Sequence, residues 1–228
     1  MRHCHVFIFL DDAQMPGGQS YVYRTKISTQ SGPRWLSVPT RSHLGDVISQ
    51  VQFADDRWNS RHLATLRGAY GRSPFFSEVW SVIAPLYEAA AEGLSDFNQR
   101  LIVALARYLG LTCSILRSSE LHAAGSSDQR LIALIKAVGG TRYLSGKGGQ
   151  NYQNPARFQL AGIDLDVRPY QPIPYRPMYG DFIPGLSLLD AAFNLGREAA
   201  KLLTYEESIT QEHEPATDDQ PWSKEVLR

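Results

Sequence analysis

The chain has two cysteines in 228 residues, Cys4 and Cys113, far apart in sequence. So sparse a set excludes a disulfide-stapled scaffold. It also leaves no zinc pattern: His3, Cys4 and His5 come nearest to one, and no second Cys/His pair matches them. Both thiols read first as buried free cysteines, next as a disulfide, and last as a nucleophile. Charge of either sign is not in excess, because 23 Lys and Arg balance 23 Asp and Glu. No global field therefore argues for nucleic acid or an anionic membrane. No apolar run approaches the roughly 18 residues that suggest a membrane span. His5–Leu10, followed at once by Asp11-Asp12, is too short for a signal peptide. The expectation is a cytoplasmic protein. Neither G-x-x-x-x-G-K-[ST] nor G-x-G-x-x-G occurs, and no Ser-His-Asp arrangement or internal repeat is visible.

What is present suits one globular domain: 43% of residues are hydrophobic and 20% charged. The pattern predicts a single α/β domain over residues 1–204 and a polar, acidic, disordered tail over 205–228. The chain is organised around Leu116–Tyr152. A short apolar run, Thr112–Leu116, opens into Arg117-Ser118-Ser119-Glu120. A helix follows with a capping box at Ser126–Gln129 and a buried face of Leu131, Leu134, Ile135 and Val138. A second strand, Thr141–Leu144, opens into the glycine-rich run Ser145–Tyr152. This is a βαβ pattern. A right-handed crossover puts both polar loops at one sheet edge, where open α/β sheets bind ligands.

Before that stretch, His5–Leu10 reads as a buried parallel strand. Tyr21–Ser28 and Trp35–Pro39 read as strands separated by a turn at Ser31-Gly32-Pro33. Helical spacing appears at Trp58–Tyr70, from Phe75 to Leu86, and from Leu94 to Leu109. After it come a short helix at Pro155–Leu160 and a strand at Ile163–Val167. Arg168–Pro184, with five prolines, reads as an extended surface stretch. Leu186–Leu203 returns to helix, with Gly196 as the point of interruption.

Several groups could carry chemistry. Asp11 and Asp12 end the first strand, and adjacent strand residues point to opposite faces, so one of them would enter a cleft. Such a carboxylate can hold an amine, a hydroxyl or a divalent metal; a solvated turn is the plainer reading. Arg24 and Lys26 share a strand face and could grip a phosphate or carboxylate, or could simply be solvated. The N–H groups of Ser145–Asn151 could cradle an anion, with Lys147 beside them. Glu120 is the best-placed lone carboxylate of the central segment.

Taken together, FIFLDDAQ, Arg24-x-Lys26-Ile27, RSSEL at Arg117–Leu121, YLSGKGGQNY at Tyr143–Tyr152 and FIPGLSLLDAAFNLG at Phe182–Gly196 resemble the WbqC-like proteins. The likeness runs from His5 to Glu198. It implies a bacterial, cytoplasmic protein associated with O-antigen or other lipopolysaccharide and surface-polysaccharide gene clusters. It also implies a group transferase for which an aminoacyl or glycyl unit has been suggested as the cargo. Members open with a His-Gln-Pro-x-Tyr-x-Pro strand and loop followed by a helix. This chain starts at the next strand, so it is expected to be an N-terminally shortened member lacking the first βα element. Gln150 stands where the family has Arg after Gly-Gly.

By analogy the fold expectation is a mostly parallel sheet flanked by helices, in a Rossmann-like or nucleotidyltransferase-like three-layer arrangement. The expected catalytic residues are Asp11, Asp12, Ser118 and Glu120. The expected substrate-binding residues are Gln14, Arg24, Lys26, Arg117, Ser119, Ser145, Gly146, Lys147, Gly148, Gly149 and Tyr152. No metal-ligand set is expected. The donor is read as nucleotide-activated or aminoacyl, with magnesium left open. The partners are a small-molecule or sugar substrate and, as the one nucleic acid considered, a charged tRNA donor. The competing reading is a degenerate nucleotide- or glycan-binding protein without catalysis.

Overall fold

A computed structural model describes residues 1–18 and 20–204. The expected tail lies outside the described residues. The order is β1 (Val6–Phe9), β2 (Arg24–Thr29), β3 (Gly32–Ser37), β4 (Thr40–Arg41) and β5 (Gln52–Phe53), then α1 (Trp58–Tyr70), α2 (Phe76–Glu88) and α3 (Leu94–Tyr108). The central segment follows as β6 (Ser114–Arg117), α4 (Ser118–Leu121), α5 (Ser127–Ala137) and β7 (Arg142–Ser145). The chain continues through α6 (Pro155–Leu160), β8 (Asp164–Val167) and α7 (Leu188–Leu195), and closes on a 3-10 segment, Gly196–Leu202.

The class is mixed α/β. The strands, however, form four two-stranded sheets among the described residues, not one sheet. β1 pairs with β6 in parallel, Val6 opposite Ser114 and Phe9 opposite Arg117. β7 pairs with β8 in parallel, Arg142 opposite Asp164 and Ser145 opposite Val167. β2–β3 and β4–β5 are antiparallel. The first hairpin turns a little earlier than its sequence suggests. Gly32 and Pro33 belong to β3, because Thr29 and Gly32 are the last paired residues.

Two apolar clusters hold the molecule. The larger joins the first hairpin to α1, α2, α3 and α7 through Ile27, Leu66, Tyr70, Val79, Ile83 and Phe193. Tyr70 stacks on Phe193 with ring centroids 4.5 Å apart, and Trp58 packs edge-on against Phe97 at 4.8 Å. The smaller has three buried residues, Ile135, Phe158 and Ile163, under α5, α6, β7 and β8.

Helix periodicity predicts the long helices well because each buries one apolar stripe. Leu186–Leu203 is the exception, since the α-helix stops at Leu195. Gly196 takes φ +60°, and a Cβ there would lie 2.5 Å from Phe75. Only glycine meets both demands, so the helix breaks and the chain continues as a 3-10 turn. The expected capping box is not made. Ser126 forms no side-chain cap bond to α5, and Asp128 turns instead toward the loop after β7.

β1 departs from expectation in burial. Val6, Phe7, Ile8 and Phe9 are all half-buried. An apolar strand of this kind suits the interior of a sheet, yet β1 has one neighbour among the described residues.

Candidate functional site

The polar loops that follow β1, β6 and β7 meet around the first turns of α5. Asp11 leaves the end of β1 and is buried. Its carboxylate accepts hydrogen bonds from the Ser119 N–H at 3.1 Å, the Ser119 hydroxyl at 2.7 Å and the Ser118 hydroxyl at 3.2 Å. Asp11 thereby satisfies N–H and O–H donors at the start of α4, and its own carbonyl accepts from the Ser49 N–H at 2.8 Å. Asp12 follows in the same turn, beyond the end of β1 at Phe9, so strand alternation does not separate the two carboxylates and both reach the Ser118 hydroxyl. Asp12 accepts from the Ser118 hydroxyl and pairs with Arg130 of α5. Burial opposes ionisation of Asp12, but the hydrogen bonds from Ser118 and Arg130 outweigh it and hold its carboxyl below the usual range.

α5 reaches the third loop as well. Asp128 is almost wholly buried and accepts from the Asn154 N–H at 3.0 Å, with the Arg157 guanidinium 3.9 Å away. Its other oxygen is buried and has no hydrogen-bond partner. The loop from Ser145 to Tyr152 winds as a 3-10 turn over Lys147–Asn151. Ser145 is buried and donates to the Gln153 side-chain oxygen at 2.8 Å. Gly149 fits between them: a Cβ there would lie 2.2 Å from the Ser145 hydroxyl and 2.5 Å from Gln153.

The expected site residues thus divide by access. Asp11, Ser118 and Ser145 are buried, and Asp12 and Ser119 are half-buried; all are held in the bonds just described. Arg117, Glu120, Gly146, Lys147, Gly148 and Tyr152 are exposed and could meet a ligand directly, whereas Gly149 is buried. Arg117 donates through Nε to Gln99 of α3 at 2.7 Å and lies 3.8 Å from Glu120. Gln14 sits in a single antiparallel bridge with Val47. Arg24 and Lys26 stand apart, on the β2–β3 hairpin. They do share a face, and it is the face of Trp35: the Arg24 guanidinium lies 4.0 Å and the Lys26 ammonium 5.3 Å from its ring centroid. Among the described residues, no hydrogen bond or ion pair runs directly between the Asp11–Asp12 loop and the Ser145–Tyr152 loop. α5 connects them.

Sequence reasoning missed Arg130, Asp128, Gln99 and Gln153. Three of these lie inside helices, where a polar residue at regular spacing reads as a solvated face. Only Asp128 had a signal, as a carboxylate in the first turn of a helix. Among the described residues, no three His, Cys, Asp or Glu side chains gather as a metal cluster would require.

The arrangement offers one exposed carboxylate, two exposed cations and a glycine-rich backbone at the carboxyl ends of parallel strands. That suits retention of an anionic group. The chain is similar to "Uncharacterized protein Rv1507c" of Mycobacterium tuberculosis (strain ATCC 25618 / H37Rv), with 29% identity over 203 residues, covering 87% of this chain and 87% of that protein. No solved structure matches. The sequence profile of the WbqC-like protein family matches residues 1–202. The chain belongs to the WbqC-like protein family.

Proposed function

We propose that this chain is a group transferase that takes an anionic, nucleotide-activated or aminoacyl donor and serves bacterial surface-polysaccharide synthesis. The observation that carries the reading is the convergence of three polar loops on α5 at the carboxyl ends of β1, β6 and β7. In this reading Lys147 and the N–H groups of Gly146 and Gly148 hold the donor's phosphate or carboxylate. Arg117 supplies a second cation. Glu120 takes the proton from the acceptor hydroxyl or amine as it attacks. Asp11, Asp12, Ser118, Ser119 and Ser145 keep the loops in place. Tyr152 covers the donor. The same reading makes residues 1–204 one cytoplasmic domain of nucleotidyltransferase-like, three-layer build, with a sugar or other small molecule as acceptor and a charged tRNA as the aminoacyl source. Magnesium would arrive with the donor's phosphates.

A second reading has one observation in its favour. The Asp11 carboxylate is saturated by Ser118 and Ser119, and Ser118 is fully buried. A protein with those groups sealed can bind a nucleotide or glycan without turning it over.

Nucleotide sugars and aminoacyl donors, each offered with candidate acceptors and followed by mass change, separate the two. Turnover with at least one pair is expected. Titration of nucleotides into the full chain and into Lys147→Ala should give weaker binding in the variant; equal or absent binding in both sinks the anion site. Arg117→Ala should lower activity far more than Arg57→Ala, and similar losses would refute the placement.

A further inference from the structure

A cavity of about 1070 Å³ runs into the helical half of the molecule. Its inner wall is core. Leu36 of β3, Val38, Phe97 and Leu105 of α3, and Leu189 of α7 line it, and all five are buried. They belong to one apolar cluster, so the elements that shape this wall are packed directly on one another. The buried polar groups of the lining are mostly committed elsewhere. Gln99 is bonded to Ser95 and Arg117, and Asp11 to Ser118 and Ser119.

Close-packed interiors keep few voids larger than a water molecule. Water is a poor occupant here, because each buried water needs two to four polar partners and Leu, Val and Phe side chains offer none. The volume matches the upper end of small-molecule sites, about 300–1,000 Å³. A ligand that fills it must bring mainly hydrocarbon.

The mouth has a different chemistry. Tyr21 and Ile102 line the cavity at the surface, 69% and 42% exposed. Arg24 lines it too, half-buried, with its guanidinium 4.0 Å from the Trp35 ring centroid. The Lys26 ammonium lies 5.3 Å from the same ring. Two positive charges therefore share one ring, and one of them lines the cavity. A half-buried charge is screened less than an exposed one and attracts an anion more strongly. Arg2 is the other guanidinium of the lining, but it is exposed and donates to the Ala200 carbonyl at 3.1 Å. Asp11, a buried carboxylate of the lining, repels an anion from its own neighbourhood.

We infer that the cavity binds a single-chain amphiphile, with its alkyl tail among Leu36, Val38, Phe97, Leu105 and Leu189 and its oxyanion head, a carboxylate or a phosphate monoester, at Arg24. The inference rests on the cavity and the β2–β3 hairpin and not on the transferase reading. It gives Arg24 and Lys26 a role apart from the loops around α5.

Isothermal calorimetry on the 228-residue chain tests this with butanoate, octanoate, decanoate and dodecanoate, each below its micellar concentration. Every methylene that enters the cavity should tighten binding by about fourfold. Dodecyl phosphate keeps the tail and changes the head, and the tighter of the two dodecyl anions names the head. Dodecyltrimethylammonium keeps the tail and reverses the charge, and should bind at least about tenfold more weakly. Arg24→Gln should weaken dodecanoate at least about tenfold, and Arg2→Gln less than about twofold. Ile102→Trp narrows the mouth from an exposed position and should weaken dodecanoate as well. It leaves the core intact, so it tests the cavity even where Arg24→Gln fails to fold. Methyl NMR should show contacts from the dodecanoate tail to Leu36, Val38 and Leu189. Absence of binding by both dodecyl anions overturns the inference. So does affinity that does not rise with chain length, which marks ion pairing at the surface. Equal binding of dodecyltrimethylammonium also overturns it, as adventitious detergent binding only. Arg24→Gln without effect, or Arg2→Gln with an equal one, overturns the placement of the head.

Discussion

The helical half of this molecule and its βα half are held together by different means. The hairpin β2–β3 with α1, α2, α3 and α7 shares an extensive apolar cluster in which Tyr70, Phe193, Leu66 and Ile83 are fully buried. The half built from α5, β7, α6 and β8 buries four apolar residues among the described ones, Leu134, Ile135, Phe158 and Ile163, and leans on polar ties: Asp12 to Arg130, Asp128 to Asn154, and Ser145 to Gln153. Apolar burial is insensitive to direction, whereas a hydrogen bond fixes an atom in place. The division of labour follows. One half supplies stability, and the other holds loops to a definite geometry at the edge where the site is proposed.

That contrast can be broken in graded steps. Phe193→Ala removes a fully buried ring stacked on Tyr70, and a loss of about 3–5 kcal/mol in denaturant unfolding is expected. If the loss were under about 1 kcal/mol, the first half would not be the stabilising one. Phe158→Ala empties the smaller cluster, and a loss of about 3 kcal/mol is expected. Its signature should be local, with faster hydrogen exchange in β7, α6 and β8 and little change in α1 or α2. A uniform change across both halves would show that they unfold as one.

Arg130→Ala should cost about 1 kcal/mol and alter the acid limb. The folded Asp12 carboxyl is held below the ordinary aspartate value of 3.8. Its contribution is therefore present above that value and is lost as pH falls through the lower, folded one. In the variant this part of the acid loss should shrink but not vanish, because the Ser118 hydroxyl still bonds Asp12, as read from unfolding midpoints between pH 5 and pH 2. His62 sharpens the other half in the same way. Burial holds its imidazole below the ordinary 6.5. Stability from the neutral ring is therefore present above about pH 6.5 and declines as pH falls below it. His62→Gln should flatten the decline between pH 7 and pH 5. Least of all, Lys147→Ala should change stability by under about 0.5 kcal/mol, since the side chain is exposed, while anion binding falls.

Much of the first half was legible in the sequence. Trp58, His62, Leu66 and Tyr70 are spaced by four, and the helix they predict is α1 to the residue. The strands flanking the central segment were legible as well, each displaced by one or two residues: Thr112–Leu116 became Ser114–Arg117. What sequence could not supply was lateral. HVFIFL describes an interior strand but does not say which neighbours it will have, because parallel pairing joins residues about a hundred positions apart. The site was legible to the same degree. Its loops could be located from strand ends, but Arg130 and Asp128 look like solvent-facing residues until their partners, Asp12 and Asn154, are known.

Asp190 of α7 is fully buried, and its carboxylate accepts from the hydroxyls of Tyr70, at 2.7 Å, and Tyr175, at 2.6 Å. Burial drives both phenols well above their ordinary range, so each remains a donor at any physiological pH. Three stretches of chain meet at this one acid: the end of α1, the proline-rich Arg168–Pro184 and α7. Among natural variants, a change at any of these positions therefore demands a matching change at another. A sequence with Asn at position 190 should tolerate Phe at 70 or 175, while one that keeps Asp190 should keep both tyrosines. The proline-rich segment, irregular as it is, carries a signature by which relatives can be recognised through correlated substitution.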